Sequence, residues 1–258
     1  MFIDNYPKFT AGRVLKHEML NLLRDYPRGY IDILYSDYVD GVIAGCSISV
    51  NPDALSIAPG IVRYQGKLLT LVQSENISYT ATGQETIVKI RFSKEKDSLD
   101  YTTISGEIVS DLSPKIADNE MELCRYKLKA GARLRDDYQN FGDMATDYDT
   151  LNIICMPYAT HYETTLSPII TRKFAEEALQ NKMIHPFDYM FIGQCVQGEP
   201  VARTLITAYT SARLNIKSKD STNLDLHRQL TKILNDIRQG KDIASHLGRS
   251  GGRRILVD

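Results

Sequence analysis

Tryptophan is absent from the 258 residues, and cysteine is sparse. The four cysteines, Cys46, Cys124, Cys155 and Cys195, lie far apart and form no C-x-x-C pair. That spacing excludes a disulfide framework and a zinc site local in sequence. It fits small buried hydrophobes in a protein made in a reducing compartment. An excess of charge of one sign is also missing. The formal net charge is −1, so no whole-chain field favours nucleic acid or an anionic membrane. No apolar run approaches the roughly 20 residues that span a bilayer. Residues 1–13, "MFIDNYPKFTAGR", have neither a basic start nor an apolar h-region, so synthesis in the cytoplasm is expected.

The common catalytic signatures are lacking as well. His17-Glu18 begins like a zincin motif, but position 21 is Asn where the second histidine is needed. Gly193 and Gly198 have the outer spacing of a phosphate loop without its Lys and Ser/Thr. Asp136-Asp137 and the Asp147/Asp149 pair read as solvated loops, because no glycine and glutamate follow in calcium-loop register. His161 and His185 are isolated, and no serine sits in G-x-S-x-G. The expectation is no enzyme, no metal site and no cofactor.

What the chain does contain is a change of period. Near the start, Thr10 reads as an N-cap, with Leu15, Met19, Leu22 and Tyr26 on one helical stripe and Pro27 ending it. From about residue 30 to 158 the texture is β. Val88, Ile90 and Phe92 alternate with Lys89 and Arg91, the pattern of a strand with one wet face. The apolar positions shift parity between Leu123 and Tyr126, which predicts a bulge. The run "LNIICMPYA" at 151–159 reads as a central strand ended by Pro157. Beyond about residue 165 the period is helical. Ser167-Pro168, Pro186 and Pro200 mark helix starts, the last leading a stripe of Val201, Leu205, Ala208, Tyr209 and Ala212. The predicted class is α+β: an N-terminal helical arm (1–40), an antiparallel β-sandwich or partly open barrel (41–160), a helical region (161–247) and an extended tail (248–258).

Two features suit partners. Leu226, Leu230, Ile233 and Ile237 are spaced 4, 3, 4 over about two heptads, too short for a free coiled coil. Their face packs either on the chain's own helices or on a neighbouring subunit. The tail carries Arg249, Arg253 and Arg254, then Ile255, Leu256 and Val257, a β-prone tag suited to strand addition on assembly.

The clearest motif is "DGVIAGCSISVNPDALSIAPGIVRYQGKLLTL". Gly41, Gly45, Pro59, Gly60 and Gly66 punctuate it, with Ile57, Ile61, Val62, Leu68 and Leu69 at its apolar positions. Pro59-Gly60 reads as a type II turn with Gly60 at positive φ, and Gln65-Gly66 as a hairpin turn. This run, with the preceding "YPKFTAGRVLKHEMLNLLRDYPR", resembles tail and baseplate proteins of contractile bacteriophages and phage-tail-like bacteriocins, of the Gram-positive prophage type. The resemblance covers roughly the first 75 residues. It implies a structural virion protein in several symmetric copies, contacting other baseplate and tail proteins, tail fibres among them, with no nucleic acid or membrane contact. Two other classes stand beside it. One is a hydrolase assembled from distant residues such as His161, Cys155 and Asp149. The other is a nucleic-acid-binding module using Arg238, Lys241, Arg249, Arg253 and Arg254.

Overall fold

In the computed structural model the chain is described over residues 1–113, 115–182, 185–217 and 220–240. An irregular arm leads into helix α1 (His17–Leu34). Strands β1 (Gly41–Gly45), β2 (Ile48–Val50), β3 (Ala54–Ile57), β4 (Gly60–Tyr64), β5 (Lys67–Leu71) and β6 (Glu75–Ser78) follow. Next come β7 (Glu85–Phe92), β8 (Lys96–Asp97), β9 (Thr102–Thr103), β10 (Gly106–Asp111) and β11 (Glu120–Lys127). After a 3-10 turn at Phe141–Ala145 come the short strands β12 (Tyr158–Ala159) and β13 (Thr164–Thr165). Helices α2 (Pro168–Leu179), α3 (Pro186–Cys195), α4 (Arg203–Leu214) and α5 (Asn223–Arg238) complete the fold.

The class is α+β, as expected. The sheets have the orders β13-β12-β1-β4-β5, β10-β7-β11, β2-β3-β6 and β8-β9. Their pairings are antiparallel except β1 with β12, and the strands close no barrel.

The glycine motif builds the junction of the first sheet. Gly45 and Gly60 face each other across β1 and β4. A Cβ on Gly45 would lie 2.2 Å from the Pro59 carbonyl, and one on Gly60 would lie 2.3 Å from Cys46 Sγ and 2.5 Å from its backbone nitrogen. Two main chains meet there with no room for side chains between them. Gly60 is therefore required by close approach and not by a positive φ, a correction to the type II turn. The second turn is as predicted: Gln65 at φ 47° and Gly66 at φ 76° make the paired left-handed corner of a two-residue hairpin. Gly41 has a Cβ position 2.9 Å from the Ala159 nitrogen, where β12 docks.

Other expectations are corrected, beginning with the N-cap of α1, which is Lys16 and not Thr10. Pro27 lies inside α1, and residues 29–34 are helical instead of opening the β region. Proline removes one backbone bond without ending a helix whose flanking turns continue. The 151–159 run is strand only at Tyr158–Ala159. Its upstream part makes a lone bridge from Asn152 to Arg125, and the Asn152 side chain accepts from the Ile154 N–H, which turns the chain. Helix α4 begins at Arg203, and its buried stripe is Ile206, Tyr209, Thr210 and Arg213, with Leu205 exposed.

The bulge in β11 is present at Leu123, between Glu122 and Cys124, and puts both Leu123 and Cys124 in the core. Lys89 does not face water. On the central strand β7 it is 2% exposed, with Nζ 2.9 Å from Asp111 and 2.8 Å from Glu120. Burial pushes the Glu120 carboxyl up, yet its bonds to Lys89, the Ala117 N–H and Arg91 outweigh that and hold it at about 2.

Buried apolar side chains of the strands and helices form one continuous cluster. Phe141 joins its two ends. Its N–H donates to Glu177 on α2, and its carbonyl accepts from His227 Nε2 on α5 at 3.1 Å. The His227 ring stacks on Phe141 at 4.3 Å, and its Nδ1 has no partner. Burial, with Arg228 adding in the same direction, pushes the His227 pKa down to about 4.

Two predictions follow from these contacts. Gly60→Ala should cost about 3 kcal/mol through overpacking against backbone. Gly193→Ala, in open helical space, should instead gain roughly 0.5–1 kcal/mol; urea midpoints check both. For His227, the unfolded chain binds more protons than the folded one between about pH 4 and pH 6.5. Stability should therefore fall by about 3 kcal/mol as pH drops through that window. His227→Gln, which retains a donor for the Phe141 carbonyl, should remove that part of the pH dependence.

Candidate functional site

The reactive side chains are dispersed. His161 sits in a cleft of about 520 Å³ with Tyr38, Tyr162, Glu163 and Thr204. Cys155 lines a different cleft with Asp40, Glu120 and Glu122. Asp149 accepts from the Lys129 N–H. The three residues of the hydrolase alternative thus occupy separate surroundings. His185 caps α3 by accepting from the Phe187 N–H at 3.2 Å, and His17 is exposed at the start of α1. Among the described residues, no group of three His, Cys, Asp or Glu side chains is placed to hold a metal ion.

Burial pushes the thiols up: Cys46 to about 11, Cys195 to about 12, and Cys124 and Cys155 in the same direction. A thiol shifted that way is a weak nucleophile at neutral pH. The acid clusters serve the backbone and nearby cations. Asp136 accepts from the Val50 N–H at 2.8 Å, and Asp137 lies 3.8 Å from Arg135.

Leu226, Leu230, Ile233 and Ile237 are buried in the chain's own core, with α5 packed on α2 and α4. Of the two packing choices that their spacing left open, the internal one is realised. Arg238 ends α5 and pairs with Glu177 on α2. Lys241, Arg249, Arg253, Arg254, Ile255, Leu256 and Val257 lie outside the described residues.

The surface that stands out is at the other end of the chain. Among the described residues, 28 large hydrophobic side chains are exposed, and 14 of them lie in the first 34 residues. Helix α1 has no buried residue. Leu20, Leu23, Tyr26, Tyr30, Ile33 and Leu34 are each at least 46% exposed. The reason is that α1 stands off the body, with exposed residues on every side. Arg24, Asp25 and Arg28 border the cleft that separates α1 from Lys67, Asp100 and Thr102. Both sides of the amphipathic helix are open: the Arg24 and Asp25 side chains are as exposed as the apolar ones, and only Met19, Asn21, Leu22 and Gly29 are partly covered, unlike a core-facing helix. The expected stripe of Leu15, Met19, Leu22 and Tyr26 shares Met19, Leu22 and Tyr26 with this helix, but the helix starts at His17 and runs past Pro27 to Leu34, which adds Tyr30, Ile33 and Leu34 to its apolar side. The available signal was its width: apolar residues cover half of the helix, and Phe2, Tyr6 and Phe9 precede it.

Beside α1, the β4–β5 hairpin ends the first sheet, so β5 is an edge strand. An apolar cavity of about 410 Å³ lies between β5 and β10, with Cys46, Leu69, Ile90, Phe92 and Leu123 on its walls. Among the described residues, no helix is long and apolar enough to cross a membrane.

No protein-family model and no curated protein matches the chain. Among solved structures, a crystal structure of TssK aligns with a TM-score of 0.39 at 9% sequence identity, covering 92% of this chain and 72% of that one. A likeness that distant carries no argument about this protein.

Proposed function

We propose that the chain is a structural baseplate component of a contractile injection system, a phage tail or phage-tail-like bacteriocin in the finer reading. It acts in several copies and binds neighbouring baseplate subunits and tail fibres. It is made in the bacterial cytoplasm and resides in the particle after assembly. The observation that carries this reading is the N-terminal surface: a helix with its apolar side exposed costs free energy in water and is relieved only by a partner. The glycine-punctuated motif of the first 75 or so residues supports the class of partner. Its rigid junction at Gly45 and Gly60 gives a docking unit of fixed shape, which a repeated, load-transmitting assembly needs.

Particles purified from cells expressing a tagged chain provide the test. The chain should sediment with intact particles and remain after a high-salt wash, because apolar contacts are not screened. Recovery only in the soluble fraction, with particles otherwise complete, overturns the reading.

A further inference from the structure

At about 3.6 residues per turn, α1 divides into halves. Met19, Leu23, Tyr26, Tyr30 and Ile33 run along the middle of the apolar half at spacings of 4, 3, 4 and 3. That is the rhythm of a helix seam. Leu20 and Leu34 widen the seam on one side and Leu22 on the other. A two-stranded coiled coil buries only the narrow central stripe, whereas a face this wide is covered when each helix touches two others.

The charges bordering the face are sorted by sign. Glu18, Asp25 and Asp32, seven residues apart, run along one border, while Arg24 and Arg28 lie along the other. Within one copy, Arg24 pairs with the adjacent Asp25 at 2.6 Å, and both side chains remain mostly exposed. The sorting discriminates between arrangements. In a parallel ring, rotation brings the acidic border of each helix against the basic border of the next. In an antiparallel pair, each border meets its own copy, acid against acid. Only the parallel form is complementary.

We infer that the apolar face of α1 is the contact by which copies of this chain associate, as a parallel helix bundle of at least three. A lipid surface is a poorer occupant. The polar half carries three carboxylates against Arg24 and Arg28, whereas helices that lie on membranes have Lys/Arg-rich polar faces. The association also accounts for a local weakness. Pro27 and Gly29 disfavour an isolated helix, and an 18-residue helix with no buried residue gains little stability from the body. Burial between copies supplies what the body does not. The inference rests on the geometry of α1 alone and does not depend on the baseplate reading.

Sedimentation velocity of the purified full-length chain at micromolar concentrations tests it. The chain should form a discrete oligomer of three or more copies, and hydrogen exchange at 17–34 should slow as concentration rises. Leu23→Glu with Tyr30→Glu should give monomers that keep slow hydrogen exchange in the body while 17–34 loses its protection, since neither side chain is buried in the single chain. Reversing one border (E18K/D25K/D32K, or R24E/R28E) should weaken association at least tenfold at low salt. Reversing both borders together should restore it. A wild-type chain that stays monomeric overturns the inference, whatever other protein it binds. So does an oligomer indifferent to Leu23 and Tyr30, or one equally weakened by single and double border reversal. Failure here with retention in purified particles leaves the proposed function standing.

Discussion

Phe141 gives its N–H to Glu177 and takes a hydrogen bond from His227, while its ring lies against Phe174 and the His227 imidazole. Both backbone groups and the side chain of one residue, in the connection between strands and helices, are thus committed to the helical half. From it an aromatic series runs inward: Phe174 meets Phe191 edge-on at 5.7 Å, and Phe191 stacks on Tyr209 at 4.1 Å. Tyr209 then donates to Asp188, which pairs with Arg213 at 3.0 Å. An isolated charge in such surroundings is costly, so the pair is held together by the packing that buries it. Phe141 thus joins the connection after the strands to α2 and α5, and the series behind it ties α2, α3 and α4 together.

The β half solves the same problem by different means. Lys89 occupies the centre of its sheet because Asp111 and Glu120, on the two neighbouring strands, both reach it. Tyr64 stacks on Phe92 at 3.9 Å and ties the β1-containing sheet to the β7-containing one. Both sheets therefore contribute to the chain's buried core, around the cavity between β5 and β10. Helix α1 is the exception, since most of its apolar side is exposed and none of its residues is buried. The chain's buried cluster forms without α1, and the apolar face of that helix is left largely uncovered.

Much of the architecture was legible in local patterns. Ser167 caps the Ile169 N–H as its position before Pro168 indicated, and Thr222 forms a reciprocal capping box with Asp225. The Gln65-Gly66 corner and the bulge at Leu123 follow from turn chemistry and from a change of side-chain parity. These are short-range constraints, in which each residue's own backbone preference decides the outcome. Pro27 misleads locally, since one missing backbone bond does not end a helix; at 151–159 other parts of the chain intervene. The 151–159 run was apolar enough for a strand, but its bonds go to the Asn152 side chain and to Arg125.

The candidate site divides along the same line. Sequence alone determined that α1 is amphipathic, that its borders are sorted by charge and that Gly45 and Gly60 are special, because these depend on residue type and spacing. The tertiary structure decided that Gly45 and Gly60 oppose each other, that the Leu226–Leu230–Ile233–Ile237 face is buried internally, and that the apolar face of α1 is left largely uncovered. Periodicity states which residues share a face; only the arrangement of the rest of the chain states what that face meets. Burial is a property of neighbours, and neighbours are set by contacts far apart in sequence.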